Sequence, residues 1–350
     1  MKTLGEKIRN LREAKQFTLK EASSKLNVDT ALISKIERSE RNPTREQLAK
    51  FAKLYKADEK ELLLLFLAER VIYEIADDSL VMEVLKLAEE RVKYGKSLNK
   101  TVNGILSEIE KFKKKLDKFR PFPLAQLQNL EQYFKVEYTF ESNRIEGNTL
   151  TLQETALVVE KGMTVSGKSM REHLEAINHA GAVDFIMDIV KSKEPLSERL
   201  IKDIHAIVLQ GIDKENAGAY RKVDVRISGS KHLPASHYLL PELMEQYMAF
   251  YKKNHKKMHP VLLAADMHEK LVTIHPFIDG NGRTSRLVMN LILLQHGYPI
   301  AKISGEQTSR LSYYNALEQV QVDGNITVFH LLIAEVVKRS LEEYIDIVKH

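Results

Sequence analysis

An all-α fold in more than one domain is what this chain predicts, and three observations carry that expectation. Apolar residues recur at helical spacing along most of the sequence. At 350 residues the chain is too long for one small module. Strand-like alternation is confined to the stretch from Tyr220 to Leu240, where Val223, Val225 and Ile227 alternate with Asp224 and Arg226 before the turn residues Ser228-Gly229-Ser230. The expected organisation is a module of short helices over residues 1–67, a helical connector over 68–118, and a helical domain over 119–350 carrying one small β-hairpin near 220–240.

Within the first module, Leu4, Ile8 and Leu11 share a helical face, and Thr18-Leu19-Lys20-Glu21 is a capping box that opens a second helix. Asp29 or Thr30 caps a third helix, running to about Arg38. Pro43-Thr44 then punctuates before a fourth at Arg45–Tyr55, and Asp58 starts a fifth. Short helix, tight turn, short helix is the grammar of a helix-turn-helix. In the connector, Ile105, Ile109, Phe112 and Leu116 form one face, while Lys111-Phe112-Lys113-Lys114-Lys115 reads either as an anion contact or as a solvated surface. Pro121 and Pro123 mark the boundary that follows.

Composition narrows the chemistry. The chain holds no cysteine, which excludes disulfides, thiolate metal sites and a cysteine nucleophile. Its longest apolar run, Leu62 to Ala68, is far short of the roughly 20 residues of a membrane span, and the opening residues lack a signal-peptide core, so a cytoplasmic protein without a membrane partner is expected. Residues 1–60 carry 15 Lys/Arg against 9 Asp/Glu, whereas the whole chain stands at only +5. A basic end on a near-neutral body reads either as a polyanion-binding module or as a solvated helical surface.

The chemistry concentrates in His275-Pro276-Phe277-Ile278-Asp279-Gly280-Asn281-Gly282-Arg283-Thr284-Ser285-Arg286. A helix from Pro260 to about Ile274 precedes this loop, and a second, Arg283 to His296, follows it and stops at Gly297. Gly280 and Gly282 allow a curled backbone, so the amides around them form an anion site at a helix N-terminus. Arg283 and Arg286, three apart, can both reach phosphates. Asp279 offers a hard oxygen for Mg²⁺. His275 is suited to general-base work at neutral pH, and Phe277 is expected to anchor the loop in the core.

This stretch resembles the signature of the Fic (filamentation induced by cAMP) domain family, His-Pro-Phe-x-Asp/Glu-Gly-Asn-Gly-Arg-x-x-Arg, and the likeness extends over roughly 120–345 through Gly218-Ala219-Tyr220-Arg221 and Arg310-x-x-Tyr313-Tyr314. The resemblance implies a protein adenylyltransferase that transfers AMP from ATP, with Mg²⁺, to a Ser, Thr or Tyr hydroxyl of a target protein. His275 would act as base and Asp279 would hold the metal. Gly280, Asn281, Gly282, Arg283 and Arg286 would bind the phosphates, with Tyr313 and Tyr314 near the adenosine. The hairpin, through Val225, Arg226 and Ile227, would be a flap that docks the target by strand addition. Gln321 stands where the family often has an adenine-contacting asparagine. Ser142-x-x-x-Glu146-Gly147 resembles the family's inhibitory motif, here expected on a helix near 139–150. Glu146 would pair with Arg286 and block a productive ATP pose; it could also position water for AMP removal. Phosphoryl transfer by inverted ATP is a further reading, although the second glycine, Gly282, is intact.

Residues 1–67 resemble the Cro/repressor helix-turn-helix family, from Thr18-Leu19-Lys20-Glu21-Ala22 through Ile36-Glu37-Arg38-Ser39-Glu40-Arg41-Asn42-Pro43, with Ser39 in place of the usual glycine. This implies double-stranded DNA read by Asp29, Thr30, Ala31, Ser34 and Lys35, with the protein acting as a homodimer on paired half-sites. A module retained for protein interaction stands beside that reading. So does a DNA-binding regulator whose C-terminal domain senses nucleotide without turning it over.

Overall fold

The computed structural model of the chain describes residues 3–75 and 81–349; over 74–75, 82–84 and 86–100 only the backbone is described. The chain forms two compact units, Met1–Val92 and Lys93–His350. Each has its own core.

The first unit contains α1 (Leu4–Ala14), α2 (Leu19–Leu26), α3 (Thr30–Glu37), α4 (Arg45–Tyr55) and α5 (Glu59–Ile75). Capping boxes start three of these helices, pairing Thr3 with Glu6, Thr18 with Glu21 and Thr44 with Gln47, so orphan amides at each start are satisfied locally. Leu4, Ile8, Leu26, Ile33, Leu48 and Phe51 meet in the core. Buried Glu37 is paired by Arg12, whose Nε donates to Oε1 at 2.7 Å and whose Nη2 donates to Oε2 at 2.9 Å. Ser39 adopts the left-handed conformation, with φ 58°, that suits the family's glycine. Its hydroxyl donates to Thr3 Oγ1 at 3.1 Å, tying that turn to the start of α1. Gly5 is where α1 comes closest to α3: a Cβ there would lie 2.5 Å from the Ile36 carbonyl oxygen.

The second unit holds the later part of α6 (Val81–Asp117), then α7 (Leu124–Ile145), α8 (Leu152–Lys161), α9 (Met170–Ser192) and α10 (Glu198–Val208). It is completed by α11 (Leu240–Asn254), α12 (Pro260–Ile274), α13 (Asn281–Gln295), α14 (Gln307–Asp323) and α15 (Ile326–Lys349). Helices α12 and α13 pack on each other at the centre, α9 and α10 cover α13, and α15 covers α12. Both central helices are buried around most of their circumference, and α13 is apolar in its second half, from Leu287 to Leu294, apart from Asn290. In the segment read as a connector, Val102, Ile105, Ile109 and Leu116 belong to this core.

One element departs from expectation. No strand forms among the described residues, and 223–227 runs as an irregular, largely exposed segment closed by the turn at Ser228-Gly229-Ser230. The alternation of Val223, Val225 and Ile227 is present, but no second strand lies beside it to complete a ladder. Two-stranded hairpins are marginal without a covering layer, and side-chain anchors hold this segment instead.

Replacing Gly5 by Ala is expected to destabilise the first unit by about 1–3 kcal/mol through overpacking against Ile36. In calorimetry on the full chain, one melting transition should fall while the transition of the second unit stays in place. Movement of both would show that the close approach is not confined to this unit.

Candidate functional site

The loop between α12 and α13 is held in a high-energy shape by contacts on both sides. His275 closes α12 in the left-handed conformation (φ 52°), costly for a residue bearing a Cβ, while its amide donates to the Leu271 carbonyl at 3.0 Å. Arg221, almost wholly buried, straps the chain from outside. Its Nε donates to the His275 carbonyl at 2.9 Å, and its amide donates to the Pro276 carbonyl at the same distance. Its Nη1 and Nη2 donate to the Val223 and Ala235 carbonyls, so one side chain ties the 223–235 segment to the His275 loop.

Behind the loop, Phe277 is fully buried and stacks on His205, with ring centroids 3.6 Å apart. His205 accepts from the Gly218 amide at Nδ1 (2.9 Å) and donates from Nε2 to the Asp279 carbonyl (2.9 Å), which defines a neutral tautomer. Burial pulls its pKa down to about 4, although the Asp279 carbonyl favours the proton. Gly280, at φ 75°, lies against this ring; a Cβ there would come within 3.3 Å of it.

The start of α13 is built for an anion. Its N-cap is Gly280 and no side chain caps it, so the amides of Asn281, Gly282 and Arg283 remain available to a ligand. The Asn281 side chain is engaged within the loop itself. Its Oδ1 accepts from the Phe277 amide at 3.0 Å and its Nδ2 donates to the Phe277 carbonyl at 2.9 Å. With both ends engaged and the residue 3% exposed, Asn281 braces the loop.

Arg283 and Arg286 are both buried in this region. Arg286 Nε donates to Ser142 Oγ (2.9 Å), and Nη2 donates to the Ser142 carbonyl (2.9 Å) and to Glu146 Oε1 (2.7 Å). Burial opposes the Arg286 charge, yet Glu146 outweighs it and holds the guanidinium firmly protonated. Arg286 Nη1 and Arg283 Nε and Nη1 are buried without a hydrogen-bond partner. Such orphaned donors are expensive in isolation and suited to phosphate oxygens.

Glu146 caps the C-terminus of α7, a poor place for a carboxylate beside the negative end of a helix, and Arg286 offsets that. Gly147 follows at φ 95° and turns the chain away. The carboxylate lies over the start of α13: a Cβ on Gly282 would be 2.5 Å from Glu146 Oε1.

Glu146, His275, Gly282, Arg286, Tyr313, Tyr314 and Gln321 line one cavity of about 480 Å³, together with Ile227 and the Ser228–Ser230 turn. Of the flap residues named from sequence, Ile227 reaches this cavity, while Val225 is half-buried and Arg226 exposed. Tyr313 is a core residue, its hydroxyl 2.9 Å from His268 Nε2, and Tyr314 donates to the Ile145 carbonyl at 3.2 Å. Gln321 Nε2 donates to Thr273 Oγ1 at 3.1 Å. His275 Nδ1 faces the Val272 carbonyl at 3.3 Å, leaving Nε2 as the basic nitrogen. Burial pushes the imidazole below its usual range, with that carbonyl only partly countering, so it is neutral at physiological pH.

Asp279 is half-exposed at the loop's outer edge. Its Oδ1 accepts from the Gly280 amide at 2.6 Å and lies 3.3 Å from Arg283 Nη2, while Oδ2 accepts from Arg171 Nη2 at 2.7 Å. Among the described residues no group of three or more His, Cys, Asp or Glu side chains forms a metal cage.

Comparison with known proteins agrees with this geometry. Residues 195–293 match the Fic/DOC family model, and residues 3–65 match a helix-turn-helix domain model. The second unit carries a Fic domain. The chain is 38% identical over 216 residues, 61% of its length, to a protein adenylyltransferase Fic from Drosophila ananassae, and 37% identical over the same span to its counterpart in Drosophila melanogaster. It spans 42% of the length of each of these relatives. Among solved structures, a fragment of Fic-1 from C. elegans is similar at a TM-score of 0.68 and 25% identity, covering 98% of this chain and 99% of that one. A Fic-domain signaling protein from Bacteroides thetaiotaomicron is similar at 0.63 and 27%, over 69% of this chain and 97% of that one. The resemblance read from His275–Arg286 is thus borne out, as is the all-helical fold.

Sequence reading missed Arg171, Glu175 and His205 as parts of the Fic site. His205 had a signal, since it interrupts the apolar face formed by Ile201, Ile204 and Val208. Arg171 and Glu175 had only an i,i+4 spacing shared by many surface pairs.

In the helix-turn-helix unit, Ala31 and Lys35 are exposed on α3, with Thr30 and Ser34 half-buried. Asp29 is exposed and serves as the N-cap, its Oδ1 accepting from the Ala31 amide at 2.7 Å. No helix among the described residues is long and apolar enough to cross a membrane.

A pH dependence follows from the buried histidines. Burial lowers His205 to about 4 and His268 to about 3, whereas both titrate near 6.5 when unfolded. Their neutral burial therefore contributes fully above pH 6.5. That contribution is lost as pH falls toward 4, because the unfolded chain takes up protons first, at up to about 1.4 kcal/mol per pH unit for each group. Denaturant titrations of the second unit between pH 7 and 4.5 should show this decline; a flat profile would contradict the neutral tautomers.

Proposed function

We propose that the chain is an autoinhibited protein adenylyltransferase that takes ATP with Mg²⁺ and modifies a Ser, Thr or Tyr hydroxyl on a target protein. The observation that carries this reading is the placement of neutral His275 and orphaned arginine donors around an uncapped helix start, with Glu146 lodged on Arg286.

In this reading the amides of Asn281, Gly282 and Arg283 and the guanidinium of Arg283 hold the α- and β-phosphates, and Arg286 holds the γ-phosphate. His275 Nε2 takes the proton of the target hydroxyl as its oxygen bonds to the α-phosphorus. The bond from that phosphorus to the α,β-bridging oxygen breaks, and pyrophosphate leaves with the electron pair. Positioning and charge neutralisation supply most of the acceleration. The donor set suits Mg²⁺: one half-exposed carboxylate, Asp279, leaves the other ligands to phosphate oxygens and water, as this ion prefers. When bound there, the metal supplies charge neutralisation on the phosphates. Tyr314 and Gln321 border the space left for adenosine, and Ile227 with the following turn borders the side from which a target segment approaches.

The first unit, whose residues 1–60 carry 15 Lys/Arg against 9 Asp/Glu, is read as a double-stranded DNA module, a homodimer on paired half-sites, in a cytoplasmic protein. Exposed Lys35 and Ala31 on α3 support a groove-facing helix.

With radiolabelled ATP, Glu146→Gly is expected to raise AMP incorporation by about tenfold or more, the factor represented by 1.5–3 kcal/mol of charge-assisted hydrogen bonding. Unchanged labelling would count against the brake, and an adduct of phosphate mass would replace AMP transfer by phosphoryl transfer. His275→Ala in that background should lower incorporation by about 10²–10⁴ with nucleotide affinity nearly intact. For the first unit, Lys35→Ala should weaken binding to duplex DNA and reduce its salt dependence; affinity indifferent to salt would exclude phosphate contacts.

A further inference from the structure

Four charged side chains close a ring at the edge of the nucleotide site. Arg171, on the first turn of α9, donates from Nη2 to Asp279 Oδ2 at 2.7 Å and from Nε to Glu175 Oε1 at 3.2 Å. Glu175 Oε1 lies 3.4 Å from Arg283 Nη1, and Arg283 Nη2 lies 3.3 Å from Asp279 Oδ1. Two carboxylates and two guanidiniums balance, so the ring is neutral without a metal. Glu175 also accepts at Oε2 from Asn148 Nδ2 (3.0 Å), just beyond the Glu146-Gly147 brake. Arg283 is buried, whereas the Arg171 side chain is 59% exposed and can swing away with little packing lost.

We propose that Arg171 is a positioning residue that occupies the metal carboxylate Asp279 and exchanges with the divalent cation, so that metal and triphosphate enter together. The inference rests on the nucleotidyl-transfer reading and deepens it. A cation at Asp279 and the Arg171 guanidinium compete for the same oxygen. Displaced, Arg171 keeps its second partner, Glu175, and draws that carboxylate away from Arg283. Arg283, losing Asp279 to the metal and the Nη1 ion pair with Glu175 to Arg171, then has Nη1 and Nε, neither of which makes a hydrogen bond here, turned fully to phosphate oxygens. Removing Arg171 leaves the ring one charge negative, which attracts a divalent cation more strongly and uncouples its entry from that of the nucleotide.

The test uses the full chain carrying Glu146→Gly, with and without Arg171→Ala. Mn²⁺ binding is followed by electron paramagnetic resonance, alone and with the non-cleavable α,β-methylene analogue of ATP. Arg171→Ala should tighten Mn²⁺ binding by about two- to fivefold, the range an exposed ion pair commands. It should also reduce the factor by which the analogue enhances Mn²⁺ affinity, with Arg171→Lys intermediate. In an Asp279→Asn background the Arg171 substitution should change nothing. Mn²⁺ affinity that is equal or weaker in Arg171→Ala, with the parent binding normally, overturns the exchange. A parent that takes up neither Mn²⁺ nor analogue overturns the nucleotidyl-transfer reading itself, and the exchange with it.

Discussion

The buried charge of Arg286 is the constraint around which the Fic domain is organised. A guanidinium 1% exposed beside the central helix pair cannot remain unpaired, because desolvation costs several kcal/mol. Ser142 and Glu146 supply the pairing from the last turn of α7, so this helix is drawn against α13 through the same group that is placed to meet a phosphate. In the proposed activity, pairing with Glu146 and pairing with a phosphate would be two alternative ways of satisfying this one cation.

The loop from His275 to Gly280 depends on a second kind of economy. Its left-handed histidine is tolerated because Arg221, Asn281 and His205 each saturate a different part of the backbone: the His275 and Pro276 carbonyls, both polar groups of Phe277, and the Asp279 carbonyl. None of the three need touch a phosphate with its side chain to matter for chemistry. They hold the amides at the start of α13 and His275 Nε2 in register, as the proposed electrostatic catalysis would require. The flap shares this support, since Arg221 also binds the Val223 and Ala235 carbonyls.

A charged surface ring extends the same logic outward. Around Arg286 the balance is buried and costly to break. Between Asp279 and Arg171 it is half-exposed and cheap to break, the condition that the proposed exchange with a cation would need.

Helical periodicity, the capping box at Thr18 and the twelve residues from His275 to Arg286 were sufficient to indicate an all-helical chain with a tight glycine loop between two helices, because those signals are local: apolar spacing, side-chain caps and glycine-permitted curvature act within one or two turns. The pairing of Glu146 with Arg286, 140 residues apart, was legible only because two short motifs could be matched to each other. What the tertiary structure alone decided is how each polar group is spent. Asn281 and Asp29, read from the sequence as ligand contacts, also hold neighbouring backbone groups. His205, Arg171 and Glu175 looked ordinary until packing brought α9 and α10 against the loop. The alternation at Val223–Ile227 announced a strand, but a ladder needs a partner at the right distance, and the fold provides side-chain anchors there instead. Hydrogen-bond partners and burial are properties of three-dimensional neighbours, and residue order along the chain does not specify them.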